Sequence, residues 1–487
     1  MEVYLGLDLG TTNLKALLVD RAGRVRYARS HPLTLKTPRP AWAEQDPAEW
    51  IQAAEALLSG LPSRFKVRRL GLSGQMHSLV GLDAAGKVVR PAILWCDQRT
   101  TTQCRAATQA LGGESQVIKL VGNPILEGFT LGKLLWLKEN EADNFKKIKS
   151  FLLPKDYLAY WLTGERGIDY SDAAGTAAFD VAGGCWSRMV MEKLDLAPNL
   201  FPLVQESQAT RGLVKKDLAD RFGLTGVEVA AGGADNAASA LGVGALAPGD
   251  VVVSVGTSGT VLAVTTARKP DPSGRLHFFS HAAPDSRYYM GVMLAAASAL
   301  SFFTDKMGKK VNWTKLNPSL EQAPPGAGGI IFLPYLNGER TPYRDPDARG
   351  VLAGLSHQSD WPHILRAVME GVSFGLRDSF ELIKELSEVR RIWLVGGGGK
   401  NPVWRRILAA NFQQPVQTPA VDEGGAYGAA MLAALGNGLD LAAVSAWVKP
   451  QFIEEPDPAL AEFYDHWYPE YKNLYQDLKG RFKRLAK

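Results

Sequence analysis

Hydrophobic and polar positions alternate sharply at the start of the chain. Val3-Tyr4-Leu5-Gly6-Leu7 predicts a strand, Asp8-Leu9-Gly10-Thr11-Thr12 a turn, and Leu14 to Val19 a second strand: a hairpin with small and hydroxyl residues at its tip. A Pro-rich polar loop, Pro38 to Pro47, carries Trp42. Pro47 then opens a helix to about Leu58, with Trp50, Ile51, Ala54, Leu57 and Leu58 on its apolar side. Val67 to Leu72 predicts a strand that runs into Ser73-Gly74-Gln75-Met76-His77, and a polar loop at the carboxyl end of a strand is where α/β proteins contact ligands.

The second half repeats the opening. Val251 to Val255 is a β-branched run, followed by Gly256-Thr257-Ser258-Gly259-Thr260 and then Val261 to Val264. Gly10 and Gly256 are 256 − 10 = 246 residues apart, about half the chain. Two such hairpins at the starts of two halves predict a duplicated domain with a cleft between the copies. Pro248-Gly249 marks the boundary, giving domains 1–245 and 246–487, with the last helices packing back on the first lobe. Gly328 to Pro334 reads as a strand entering the polar loop Asn337-Gly338-Glu339-Arg340-Thr341-Pro342. From about Trp361 a long helix shows Ile364, Val368, Val372, Leu376 and Phe380 at every fourth position, with Gly371 and Gly375 permitting a close contact. Arg391 to Val395 predicts a strand before four glycines, 396–399. A third glycine run, from Gly424, enters a small-residue helix.

The apolar stretch Met290 to Phe303 is 14 residues, short of the roughly 20 that span a bilayer, and reads as a buried helix. Composition adds little else. Of 487 residues, 46% are hydrophobic and 22% charged, enough apolar material for two large domains and incompatible with dominant disorder. The net charge of +5 is spread along the chain, so neither nucleic acid nor a membrane is expected as partner, and the basic run Lys479 to Lys487 reads as a solvated helix end. Cys96, Cys104 and Cys185 have no zinc spacing and fit a reducing cytoplasm. The opening MEVYLGLDLG has neither a basic stretch nor a cleavage site, so no leader is expected.

Glycine lets backbone N–H groups approach phosphate oxygens, and threonine adds hydroxyl donors. The tips Gly10-Thr11-Thr12 and 256–260 therefore read as phosphate cradles facing each other, while P-loop and dinucleotide-binding patterns are absent. Asp8 lies in an apolar strand, where a carboxylate is costly unless paired; a Mg²⁺ arriving with a nucleotide would satisfy it through water, and a turn cap is the alternative. Asp235, in Ala231-Gly232-Gly233-Ala234-Asp235-Asn236-Ala237, has space around it and suits a general base for a hydroxyl; an N-cap of the Ala-rich helix is equally compatible. Gln75-Met76-His77 offers polar groups to a nonionic ligand. Trp95-Cys96-Asp97-Gln98-Arg99 adds an aromatic face that suits a sugar.

Taken together these residues resemble the FGGY family of carbohydrate kinases. GFTLGKLLWLKEN (128–140) and GVLAGLSHQSDWPHILRAVME (350–370) are similar to its two signatures. SGQMH (73–77), LLPKDYLAYWLTGE (152–165), SDAAGT (171–176), AGGADNAA (231–238), SVGTSGT (254–260), PYLNGERTP (334–342) and VGGGGKNPVW (395–404) extend the likeness over nearly the whole chain, most closely to members acting on D-xylulose. The resemblance implies an α/β fold of two actin/hexokinase-like (ribonuclease H-like) ATPase domains flanking a catalytic cleft. It implies ATP-dependent phosphorylation of a ketopentose, D-xylulose to D-xylulose 5-phosphate, with D-ribulose, L-xylulose or a polyol as the alternatives. ATP and Mg²⁺ would be the cofactors, and a homodimer is an open assembly state. By the same resemblance Asp235 is the proton acceptor, and Asp8 acts near metal and phosphates. Gln75, Met76, His77, Trp95 and Asn236 would form the sugar site. Gly10, Thr11, Thr12, Gly256, Thr257, Gly397, Gly398 and Asn401 would hold the nucleotide. Ser78 and Cys96 depart from the residues frequent at their positions, glycine and asparagine, and both are expected near the sugar. An ATP-switched binding module on the same fold would have no use for Asp235 beside Met76 and His77.

Overall fold

The computed structural model describes residues 1–308 and 312–485, so Ala486 and Lys487 of the basic C-terminal stretch lie outside the described residues. The expected opening hairpin is β1 (Glu2–Leu9) and β2 (Asn13–Asp20), extended by β3 (Val25–Pro32). The chain then crosses through α1 (Pro47–Ser59), whose first N–H groups are capped by Asp46 and whose Trp50, Ala53, Ala54, Leu57 and Leu58 are buried. It returns as β4 (Lys66–Gly74), parallel to β1. Further along, α2 (Pro154–Thr163), β5 (Thr210–Leu213), β6 (Glu228–Ala230), β7 (Gly233–Ala234) and α3 (Asp235–Gly242) complete the first half. The sheet runs β5-β6-β4-β1-β2-β3, with β7 beside β4.

The second half builds the same plan from β8 (Asp250–Val255), β9 (Gly259–Thr265), β10 (His277–Ser280), β11 (Arg287–Met293), β12 (Arg391–Val395), β13 (Val416–Pro419) and β14 (Pro450–Glu454), in the order β10-β11-β9-β8-β12-β13-β14. In both sheets an antiparallel hairpin is followed by a helical crossover to a strand parallel with its first arm: β1 with β4, β8 with β12. The second crossover is α4 (Trp361–Leu386), capped by Asp360. It is followed by α5 (Pro402–Phe412), α6 (Gly425–Gly436) and α7 (Pro458–Leu485). The duplicated α/β architecture read from the two hairpins is therefore present.

Two features differ from expectation. The apolar run Met290 to Phe303 is not one helix: it ends β11, turns at Leu294–Ala296 and only then becomes helical at Ala297–Ser301. A run this short has no periodicity of its own, and pairing with β9 decides it. The last helix, α7, stays with the second half, where Tyr464 donates to Glu370, Tyr468 to Asp378, and Tyr471 pairs with Tyr335. The element that returns to the first sheet is α6. Alternation along β1 sends Val3, Leu5, Leu7 and Leu9 into a core shared with Trp50 of α1, so Tyr4, Gly6 and Asp8 face the other way, onto α6. A Cβ on Gly6 would come within 2.0 Å of the Ala426 carbonyl, and one on Gly71 within 1.8 Å of Ala429. On its other side α6 meets α3, where a Cβ on Gly428 would lie 1.7 Å from the Ala238 carbonyl. The small residues of this helix let backbone meet backbone between the halves. Within the second half, Gly371 lets α4 approach the Phe332 backbone and Gly375 makes room for the Met293 side chain.

Candidate active site

The two hairpin tips share a geometry that the sequence only suggests. The carbonyls of Gly10 and Thr11 accept from the side chains of Gln75 (3.5 Å) and Gln45 (2.6 Å). Those of Gly256 and Thr257 accept from the backbone N–H groups of Ala297 (2.8 Å) and Ala296 (3.0 Å). With the carbonyls engaged, the N–H groups of Thr11, Thr12, Thr257 and Ser258 have no acceptor among the described residues. Uncommitted amides on a glycine-rich turn are what an anion such as a polyphosphate requires.

Asp8 is in register with Ser73 on β4 and packs against Gly425, at the start of α6. Burial raises its carboxyl above the usual range, against the pull of the Ser73 hydroxyl and the Lys15 charge. Asp8 Oδ1 and Ser73 Oγ are buried without a hydrogen-bond partner. Among the described residues no group of three or more His, Cys, Asp or Glu side chains could hold a metal ion. A hydrated Mg²⁺ on nucleotide phosphates fits these orphaned oxygens, because its waters donate to them. Asp235 is the first residue of α3 rather than its cap, and its Oδ1 accepts from the N–H of Asn236 at 2.7 Å. Burial, reinforced by the Asp8 charge, pushes its carboxyl up to about 7. A carboxylate that gains a proton near neutrality is matched to general-base work on a hydroxyl.

Asp235 and Asn236 stand on the wall of a cavity of about 740 Å³ between the halves. Met76, His77, Trp95 and Cys96 line it from the first half, as expected, and the Asn236 amide donates to Met76 Sδ at 3.4 Å. His77 has φ +64°, a left-handed conformation that aims its ring. Nδ1 lies 2.6 Å from the Gly175 carbonyl, so it is the protonated nitrogen and Nε2 is an acceptor. Burial holds the imidazole down at about 3, hence neutral at physiological pH. The ring packs on Phe129 at 4.5 Å, and the His77 carbonyl accepts from Thr130 at 3.0 Å. The loop carrying Phe129 is tied by Lys133, whose Nζ donates to the carbonyls of Glu127, Gly128 and Phe129.

Other expected residues sit elsewhere. Gln75 is 1% exposed and behind the cavity wall; its amide bonds Gln45 and Gly10, so it braces the first tip instead of touching a ligand. Ser78 is fully buried, and its hydroxyl accepts from the Trp95 N–H at 3.1 Å, out of reach of a sugar. Asp97 and Arg99 turn inward: Arg99 bonds Asp97 and Glu44 and stacks on Trp42, leaving Trp95, Cys96 and Gln98 on the cavity. Trp95 keeps one edge in the site and donates through Nε1 to Thr11 at 2.9 Å, linking the sugar wall to the first tip. In the glycine loop after β12, a Cβ on Gly397 meets nothing within 4 Å, whereas one on Gly398 would lie 2.4 Å from Val255. Gly397 is thus the open position and Gly398 a packing one. Asn401 caps α5, accepting from Val403 and Trp404, and donates to Asn317.

The sequence reading missed the second half's share of the cavity. His277, Phe279, Met290, Glu339, Arg340 and Arg344 all line it. Arg344 also reaches across the cleft to Glu114, with contacts of 2.6 and 2.8 Å. The polar loop at 337–342 was the one available signal; strand residues such as His277 and Phe279 gave none.

Family models for the FGGY carbohydrate kinases match residues 3–242 with the N-terminal domain and 251–436 with the C-terminal domain. The chain is 40% identical to a xylulose kinase of Lactococcus lactis, covering 98% of this chain and 97% of the relative. It is 38% identical to one of Escherichia coli, covering 98% and 99%. The solved xylulose kinase of Rhodospirillum rubrum superimposes with a TM-score of 0.92 at 31% identity, covering 99% and 100%.

Proposed function

The chain belongs to the FGGY family of carbohydrate kinases, and from that premise we propose that it transfers the terminal phosphoryl group of ATP to the 5-hydroxyl of D-xylulose. The observation that carries the reading is Asp235, its carboxyl pushed up to about 7, on a cavity that the second tip lines through Ser258 and Thr260 and that Trp95 ties to the first tip. Asp235 orients the sugar hydroxyl and takes its proton as the oxygen bonds to phosphorus and ADP departs; with a loose transition state, positioning supplies most of the acceleration. His77 Nε2 accepts from a sugar hydroxyl, and Trp95 and Phe129 cover the chain's apolar faces. The amides of Thr11, Thr12, Thr257 and Ser258 face the phosphates, and Gly397 leaves room for the nucleoside. Mg²⁺, held by Asp8 through water, would supply charge neutralisation at the phosphates. In this reading the halves 1–245 and 246–487 act as two lobes that close to exclude water. A cytoplasmic setting would supply ATP and keep the three free cysteines reduced.

D-Ribulose differs from D-xylulose only in the configuration at C3, so its O3 would miss the partner that D-xylulose finds. One lost hydrogen bond predicts kcat/KM favouring D-xylulose by at least about tenfold. The two ketoses are to compete at limiting ATP with products resolved; a majority of ribulose 5-phosphate overturns the substrate and leaves the kinase.

A further inference from the structure

The loop Asn337-Gly338-Glu339-Arg340-Thr341-Pro342 supplies a cation that no part of the chemistry above employs. Its backbone is stitched to β11 on both sides of Arg340. The Thr341 N–H donates to the Val292 carbonyl at 3.0 Å, and Thr341 Oγ1 accepts from the Val292 N–H at 3.0 Å. Glu339 Oε1 accepts from the N–H groups of Arg340 (2.7 Å) and Leu294 (3.2 Å). The Arg340 side chain lines the cavity from this anchored backbone and makes no hydrogen bond or ion pair among the described residues. Its neighbour Arg344, by contrast, is gripped at both nitrogens by Glu114.

Nearby carboxylates do not neutralise it. Glu339 is 3% exposed and burial pushes its carboxyl up to about 8, so it is largely uncharged at neutral pH. Glu127, the other carboxylate acting on Arg340, forms no ion pair with it. The Arg340 charge acts on His77 and His277, whereas the charge acting on Asp235 is that of Asp8. Arg340, from the 337–342 loop of the second half, and Asp235, from the start of α3 in the first, line the same cavity.

The chemistry of the substrate says what such a group would meet. A 2-ketopentose closes its furanose ring through O5. If O5 is the phosphoryl acceptor, the reacting molecule is the open chain, and its C2 carbonyl is free. With O5 at Asp235, that carbonyl and the C1 hydroxyl lie at the far end, as two adjacent acceptors. A planar guanidinium offers a matching pair of donors. We propose that Arg340 reads the C2 carbonyl and O1 of the open-chain ketose and so sets the preference for ketoses over pentitols. The proposal rests on the assignment of O5 transfer to a ketopentose.

The full-length enzyme and its Arg340→Met and Arg340→Lys variants are to be assayed on D-xylulose and on xylitol, which differs at C2 alone. A charge-assisted hydrogen bond predicts that Arg340→Met loses about tenfold to a hundredfold in kcat/KM on D-xylulose and at least tenfold less on xylitol, with Arg340→Lys in between. Calorimetric binding of D-xylonate without ATP gives a second reading: its carboxylate would bind the wild type more tightly than xylitol does, and the advantage would vanish in Arg340→Met. Equal losses on both substrates in a variant that melts like the wild type overturn the proposal, as does xylonate binding that ignores the substitution. A wild type inert on D-xylulose that still binds xylonate through Arg340 would refute the substrate assignment and keep the carboxylate-binding role of Arg340.

Discussion

The two hairpins descend to tips of the same Gly-Thr pattern, Asp8-Leu9-Gly10-Thr11-Thr12 and Ser254-Val255-Gly256-Thr257-Ser258, yet differ where the charge lies. Shifting Asp8 by the 246-residue offset lands on Ser254. The first tip thus carries a buried carboxylate with an orphaned oxygen, and the second a hydroxyl. Their supports differ as well. The first is braced by side chains, Gln45, Gln75 and Trp95, of which Trp95 also forms the sugar wall. The second is braced by the backbone at Ala296 and Ala297 and by the Ser298 hydroxyl. Both tips keep the amides an anion needs. The second tip lines the cavity itself through Ser258 and Thr260, whereas the first reaches its wall through Trp95 and adds the Asp8 charge that acts on a second carboxylate, Asp235. Duplication explains the shared cradle; the asymmetry leaves the two buried carboxylates, Asp8 and Asp235, in one half.

The largest effect should come from removing the chemistry of that half. Asp235→Ala is expected to fold and bind ATP while kcat falls by roughly 10²–10⁴-fold, the range of a positioned acid/base group; near-wild-type turnover would refute the role. Ser254→Ala, in the other half, should change kcat by less than about fivefold if the cradle there works through amides. The pH dependence sharpens the assignment. Asp235 must be ionised to accept a proton, so kcat/KM should rise with pH and level off above about 7. Its folded value lies above the unfolded 3.8, so the native state holds the extra proton between these pH values and loses stability as pH rises through that window. Asp235→Asn should therefore raise Tm relative to wild type at pH 8, and the difference should shrink toward pH 4. A Tm gain that grew on acidification would contradict the burial argument.

The glycine loop of the second half separates binding from packing. Gly397→Val should fold normally and raise KM for ATP severalfold, with D-xylulose affinity in the absence of nucleotide unchanged. Gly398→Val drives a branched side chain toward Val255 and Trp404, and overpacking of that kind costs about 1–3 kcal/mol, read as a lower denaturation midpoint. If Gly398→Val kept wild-type stability and lost only ATP binding, the roles of the two glycines would be exchanged.

That pair of glycines also illustrates how much could be read beforehand. The hairpins, α1, α4 and β12 were legible because each is specified by local alternation, caps or helical spacing. Asp8 was legible as a carboxylate in an apolar strand, whereas Asp235, Met76, His77 and Trp95, each ambiguous alone, were picked out through the family resemblance and do line the cavity. Gln75 was misplaced for the opposite reason: it sits beside a cavity-lining residue in sequence, and only side-chain direction tells Gln75 from Met76. The run at 290–303 reads as a helix until its pairing with β9 is known. The cavity wall from His277 to Arg344 depends on two halves meeting, and no local pattern encodes which residues of one face the other.

The smallest effect concerns that meeting. Glu114 sits in the first turn of the helix Glu114–Val121, and Arg344, with φ +51°, is aimed at it from the second half. The bidentate pair joins the two halves beside the cavity, and Arg344 is one of its walls. The two side chains are 33% and 44% exposed, so water and salt screen the attraction, and exposed pairs are worth about 0–1 kcal/mol. Glu114→Gln keeps one possible hydrogen bond and removes the charge. It should raise KM for the ketose by at most about fivefold, leave kcat within twofold, and lose its effect in high salt, where the wild-type pair is screened too. A tenfold fall in kcat would instead mean that closure of the two halves depends on this contact. The second half would then set the geometry at Asp235 as well as line the cavity.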